Sequence, residues 1–198
     1  MTMFDWMRSA ASMLAAAVVA VMLTMPKSNA AISARSSVVI AAAADGAPAF
    51  THTAAPDWIN SPPLTWADLR GKVVLIDVWT FECWNCYRSF PWLHGVERRY
   101  DAQGLQVIGV HSPEFDAEKV RSSIEVAMKK YDVTFPVMID SDHSYWNALG
   151  NSYWPAFYLV DKQGRIRASF VGETHDGDAN SLKIEAAVKA LLAEPATS

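Results

Sequence analysis

Val73-Val-Leu-Ile-Asp-Val-Trp-Thr-Phe-Glu-Cys83-Trp-Asn-Cys86-Tyr-Arg-Ser-Phe-Pro91 holds both cysteines of this 198-residue chain. Its first seven residues form an apolar run rich in β-branched side chains and interrupted only by Asp77, the pattern of a strand buried on both faces. A helix is expected from Trp84 to Tyr100, with Pro91 breaking or kinking it. Both sulfurs then fall at the first turn of that helix.

Two cysteines three positions apart are not the framework of a disulfide-stapled miniprotein, whose bridges close longer loops. A structural zinc site wants four ligands, and His52, His94, His111, His143 and His175 are scattered singly. A c-type haem attachment needs a histidine at position 87, which is Tyr. No metal or cofactor is therefore expected. A thiolate at a helix N-terminus is stabilised by free N–H groups and the helix dipole, so Cys83 is expected to attack disulfides. Cys86, one turn on, is placed to resolve the mixed disulfide.

Downstream, residues 105–110 read as a second buried strand, which puts His111 near the same sheet edge as Cys83. Residues 116–131 read as one amphipathic helix, with Val120, Ile124, Ala127 and Met128 on its apolar face. A short strand at 135–139, a short helix at 141–149 and a hairpin of 155–160 with 165–171 follow. Gly164 suits the left-handed position of the hairpin loop. A closing helix at 179–192 is apolar at Leu182, Ile184, Ala187, Val188, Leu191 and Leu192. The sum is an α/β fold, a central mixed β-sheet flanked by helices on both faces, with its site at the carboxyl ends of the parallel strands.

Upstream, Trp58 and Ile59 are expected to lie along the sheet edge, and 66–69 to form a turn. Residues 31–55 are rich in Ala, Ser and Gly and read as a flexible linker. Residues 1–30 read as a signal peptide, with Arg8, an apolar run at 13–25 and a small-x-small site at Ser28-Asn-Ala30; the alternative is an uncleaved N-terminal membrane anchor. The folded domain is thus assigned to 56–194. With 51% hydrophobic and 19% charged residues the chain can bury one ordinary core, and a net charge of −4 excludes a nucleic-acid partner.

Ile76-Asp77-Val78-Trp79, then Cys83-Trp-Asn-Cys86 and Pro91, resembles the active-site region of the thioredoxin superfamily. The resemblance implies a thioredoxin-like fold over about residues 64–192. It implies that Asp77 relays the resolving cysteine's proton, and that Trp154-Pro155 is a cis bond whose Trp154 meets the substrate. Gly109-Val-His-Ser-Pro-Glu-Phe115, Trp146-Asn-Ala-Leu-Gly-Asn151 and Tyr153-Trp-Pro-Ala-Phe-Tyr-Leu-Val-Asp161 are similar to the exported TlpA-like branch, above all the domain attached to DipZ-type membrane carriers. That branch carries an inserted helix and strand, here about 114–139. The implied protein is an exported, periplasmic or extracytoplasmic thiol-disulfide oxidoreductase acting as a reductant. Its partners would be disulfide- or thiol-bearing exported proteins, with a separate membrane electron carrier as donor and a monomer as the expected state.

Trp84 and Asn85 are expected to tune the potential and meet substrate. Glu82 opposes the helix dipole at Cys83 or faces partners, and His111 is either a modulator or a loop hydrogen-bonder. Two alternatives stay open. A thiol peroxidase would want Pro-x-x-x-Thr-x-x-Cys, which is absent from the sequence; a copper-handling thiol protein would need a histidine brought to the cysteine pair.

Overall fold

The structure is a computed structural model and describes residues 46–196. The expected signal peptide, and the linker up to residue 45, lie outside the described residues. In chain order the strands and helices are β1 (Trp58–Ile59), β2 (Val73–Trp79), α1 (Trp84–Tyr100), β3 (Leu105–His111), α2 (Arg121–Lys130), β4 (Val137–Ile139), α3 (Ser144–Ala148), β5 (Ala156–Val160), β6 (Ile166–Val171) and α4 (Ala179–Ala193).

The strands form one mixed sheet in the order β1-β4-β3-β2-β5-β6. β3 runs parallel to β2 and β4, whereas β5 is antiparallel to β2 and β6, and β1 antiparallel to β4. A parallel neighbour cannot be reached by a hairpin, so α1 serves as the crossover from β2 to β3. β2 is central, and every one of its residues is buried.

Its period-two alternation feeds two cores. Val73, Leu75 and Trp79 pack with Phe90 and Trp92 of α1, Ile124 and Met128 of α2, and Ile184, Val188 and Leu191 of α4. Val74, Ile76 and Val78 face the other way, onto Phe50, Trp58, Leu69 and Tyr145. One face is thus covered by three helices, the other by α3 and irregular chain. This is the thioredoxin-like arrangement, with α2 and β4 as the inserted pair.

Phe50 alters the expected lead-in. It is buried, with its ring 5.0 Å from Trp66, 5.2 Å from Tyr145 and 5.3 Å from Trp58. Gly46 bridges to Arg165, and the Ala47 N–H donates to the Gly164 carbonyl at 2.7 Å. Residues 46–55 are therefore packed chain rather than flexible linker, because three aromatic rings need a fourth to close the second core.

Three further expectations change. α1 runs through Pro91 without a break; proline removes one hydrogen bond, but Phe90, Trp92, Leu93 and Val96 anchor the helix on both sides of the loss. The helix expected at 116–131 divides. Asp116–Lys119 is a 3-10 turn, Val120 is extended at φ −79° and ψ 111°, and only then does α2 begin. Val120 is 51% exposed, whereas Ile124, Ala127 and Met128 are buried as expected. The division follows from Glu118 turning inward, as described below. Leu182 also points outward, because the buried stripe of α4 is Ile184, Ala187, Val188 and Leu191, and position 182 lies off it.

Candidate active site

Cys83 is the N-cap of α1 and forms a disulfide with Cys86. The Cys86 N–H donates to Cys83 Sγ at 3.2 Å, and the Cys83 N–H to the Thr80 carbonyl at 3.3 Å. The two sulfurs differ in access: Cys86 is 1% exposed, whereas Cys83 is half-buried. Only Cys83 can meet a protein-sized partner. Trp84, 62% exposed, and the exposed Asn85 form the outer rim of the loop.

Asp77 lies in β2 with Leu75 and Trp79 on the face covered by α1, the face that also receives Cys86. Burial pushes its carboxyl up to about 8. A group there holds a proton at neutral pH and can still give it up, as a proton relay requires.

The β2–β5 register pairs Val78 with Ala156, which carries Trp154 and Pro155 alongside the residues leading into the cysteine loop. The Trp154–Pro155 bond is cis. Pro155 itself is buried, while half-buried Trp154 donates from Nε1 to the Ser112 carbonyl at 2.9 Å and packs 4.2 Å from the Trp146 ring. Exposed Tyr153 stands beside them. The residues expected to meet substrate thus divide into an open pair, Trp84 and Asn85, and a mostly enclosed pair, Trp154 and Pro155.

His111 reaches the loop from β3, where it is the register partner of Trp79. Fully buried, it stacks on Phe81 at 5.6 Å and meets Trp79 edge-on at 4.9 Å. Its Nε2 lies 3.3 Å from Thr80 Oγ, and its Nδ1 has no hydrogen-bond partner. Burial holds the imidazole down at about 4, against the pull of the nearby Glu118 carboxylate.

Glu118 was not anticipated. Fully buried in the 3-10 turn, it accepts from Thr80 Oγ, from the Glu82 N–H at 2.9 Å, and from the Glu114 and Phe115 N–H groups at 2.7 and 2.8 Å. Burial pushes its carboxyl up, but the donors from Thr80, Glu82, Phe115 and Glu114 outweigh it and hold the group below the usual range. A helical reading of 116–131 puts Glu118 on the solvent face. The overlooked signal is a glutamate three residues after Phe115, the spacing by which an acid reaches back to a turn's first N–H groups.

Between the loop and α2 lies a cleft of about 500 Å³, bounded by Phe81, Glu82 and Tyr87 on one side and Ser122, Ser123, Val126, Lys130 and Tyr131 on the other. Tyr87 and Tyr131 stack at 4.9 Å and 6°. Among the described residues, His52, Asp140 and Asp142 are the cluster that could gather around a cation. Asp140 accepts there from Ser112 Oγ and the Tyr145 and Trp146 N–H groups and lies 3.3 Å from His52 Nε2, so it serves as a buried cap of α3.

A family profile described as Redoxin matches residues 42–187. Protein DipZ of Mycobacterium tuberculosis is 40% identical over 126 residues, which are 62% of this chain and 18% of DipZ. The chain therefore spans less than a fifth of that relative's length. Thiol-disulfide oxidoreductase YkuV of Bacillus subtilis is 29% identical over 137 residues, covering 69% of this chain and 88% of YkuV. Among solved structures, a thiol-disulfide isomerase from Corynebacterium glutamicum superposes with a TM-score of 0.61 at 27% identity, over 75% of this chain and 98% of the other.

Proposed function

The chain belongs to the redoxin family, and from that membership we propose that it is an exported thiol-disulfide oxidoreductase that reduces disulfides in partner proteins. The observation that carries the reading is the asymmetric pair, an accessible Cys83 capping α1 and an enclosed Cys86 on the face of buried Asp77.

The disulfide present here must first accept two electrons and two protons from a donor, for which a thiol-bearing membrane carrier is the natural class. The Cys83 thiolate then attacks one sulfur of a partner disulfide, giving a mixed disulfide and a partner thiolate that takes up a proton. Asp77, once it has released its own proton, takes the proton of Cys86, whose thiolate attacks Cys83 Sγ. The Cys83–Cys86 bond re-forms, and the partner leaves as a dithiol once its second sulfur is protonated. Trp84 and Asn85, with Trp154 just before β5, would border the partner segment. The direction is supported by Glu82, whose charge beside Cys83 disfavours the thiolate and so favours giving electrons away. The export assignment rests on residues 1–30 as read from the sequence.

His111 is the histidine brought to the cysteine loop, and its full burial does not favour copper handling. The test is a pair of variants assayed on a protein disulfide. Cys83→Ser is expected to abolish turnover, and Cys86→Ser to accumulate a mixed disulfide visible on a non-reducing gel. Full turnover by either variant would overturn the proposal.

A further inference from the structure

The two oxygens of Glu118 serve different parts of the chain. Oε1 accepts from Thr80 Oγ and the Glu82 N–H, both in the cysteine loop. Oε2 accepts from the N–H groups of Glu114 and Phe115, both in the segment that follows β3. A buried carboxylate with four donors is satisfied only while ionised, because a proton on either oxygen would face a donor.

Thr80 completes the logic. Its hydroxyl hydrogen goes to Glu118, so its oxygen can only accept from His111, which fixes the neutral imidazole with hydrogen on Nε2. Burial keeps that ring uncharged, so it does not cancel the Glu118 charge at neutral pH. The other titratable groups around the loop are Glu82 within it, Asp77 on β2, Arg88 on α1 and Lys130 on α2. Arg88 is paired with Glu173 at 3.1 Å and Lys119, next to Glu118, with Asp116 at 2.7 Å, whereas Lys130 donates to Tyr131 Oη at 3.1 Å and faces Glu82 and Tyr87 across the cleft, where its charge acts on Glu82 rather than on Glu118.

We propose that Glu118 is a positioning residue for the disulfide exchange: its carboxylate ties the loop that presents Cys83 to the inserted segment, and its fixed charge behind that loop disfavours the Cys83 thiolate. The inference rests on Cys83 being the nucleophile. It assigns the α1 dipole and Glu118 opposite signs of effect on the same sulfur. The inserted segment thereby acts on the redox chemistry without touching the sulfurs.

The test is the pH dependence of Cys83 alkylation by iodoacetamide in the reduced full chain, together with the reduction potential against a thiol buffer. Glu118→Gln keeps the size and removes the charge. It is expected to lower the Cys83 pKa by about one unit, a tenfold larger thiolate share at pH below that pKa, and to raise the potential by an amount that grows with pH to about 30 mV above it, the equivalent of tenfold for a two-electron couple. Glu118→Asp keeps the charge and is expected to leave the alkylation profile near wild type. A folded Glu118→Gln variant with an unchanged profile, or one shifted upward, overturns the proposal.

Should the variants not fold, the wild type decides. The carboxyl ¹³C resonance of Glu118 in the reduced protein is expected to step at the pH where Cys83 titrates, and a flat trace overturns the coupling. Wild-type protein that alkylates at Cys83 but reduces no protein disulfide would count against the proposed function alone, leaving the Glu118 result to stand or fall by itself.

Discussion

Asp77 costs stability at neutral pH and repays it in chemistry. Its carboxyl is pushed up to about 8 by burial, so between about pH 4 and pH 8 the folded chain keeps a proton that the unfolded chain has released. Stability from this group is complete below the unfolded value and is lost as pH rises toward 8, by at most about 1.4 kcal/mol per unit. Asp77→Asn is expected to match wild type near pH 4, to be the more stable protein at pH 8, and to resolve mixed disulfides more slowly. Urea unfolding at the two pH values checks the first part; an unchanged slope would show that Asp77 is solvated. His111, held low by burial, acts with the opposite sign, its contribution being lost as pH falls from about 6.5 toward 4. Gly109 is a second point of constraint, since a Cβ there would lie 2.9 Å from both Trp79 Nε1 and Val137 Cγ2. Gly109→Ala is expected to destabilise by about 1–3 kcal/mol in thermal unfolding. Asp77 was legible because a lone acid in an apolar strand has nowhere else to go. Glu118 was not, because its burial depends on a turn that its own hydrogen bonds create.

At the scale of elements, the strands and helices of the hydrophobic core were legible, because period-two and period-3.6 patterns report burial directly. β2 and α1 have their expected limits despite Pro91. Failures occurred where polar groups or isolated aromatics decide the conformation. The break at Val120 is set by the Glu118 carboxylate, and the start of the packed chain by Phe50, a single ring in a stretch without periodicity. Phe50→Ala is expected to cost about 3–5 kcal/mol in denaturant unfolding, since it opens a cavity among Trp58, Trp66 and Tyr145. A cost below about 1 kcal/mol would return residues 46–55 to the role of a linker.

At the scale of the molecule, the sheet brings four distant segments to one edge: the cysteine loop after β2, His111 at the end of β3, the Glu118 turn, and Trp154–Pro155 before β5. The first and last were expected together from the thioredoxin-like resemblance, and the register explains how they meet. The inserted segment is where this chain adds to that plan, with a fixed negative charge behind the loop and a cleft beside it. On the proposed reading, the charges of Glu82 and Glu118 disfavour the Cys83 thiolate and so favour a couple that gives electrons away rather than taking them. The reduction potential of the Cys83–Cys86 couple, titrated in a thiol–disulfide buffer, tests that claim most directly. A value near roughly −270 mV, that of thioredoxin, is predicted, and a value near about −120 mV, that of a strong oxidant, would contradict it.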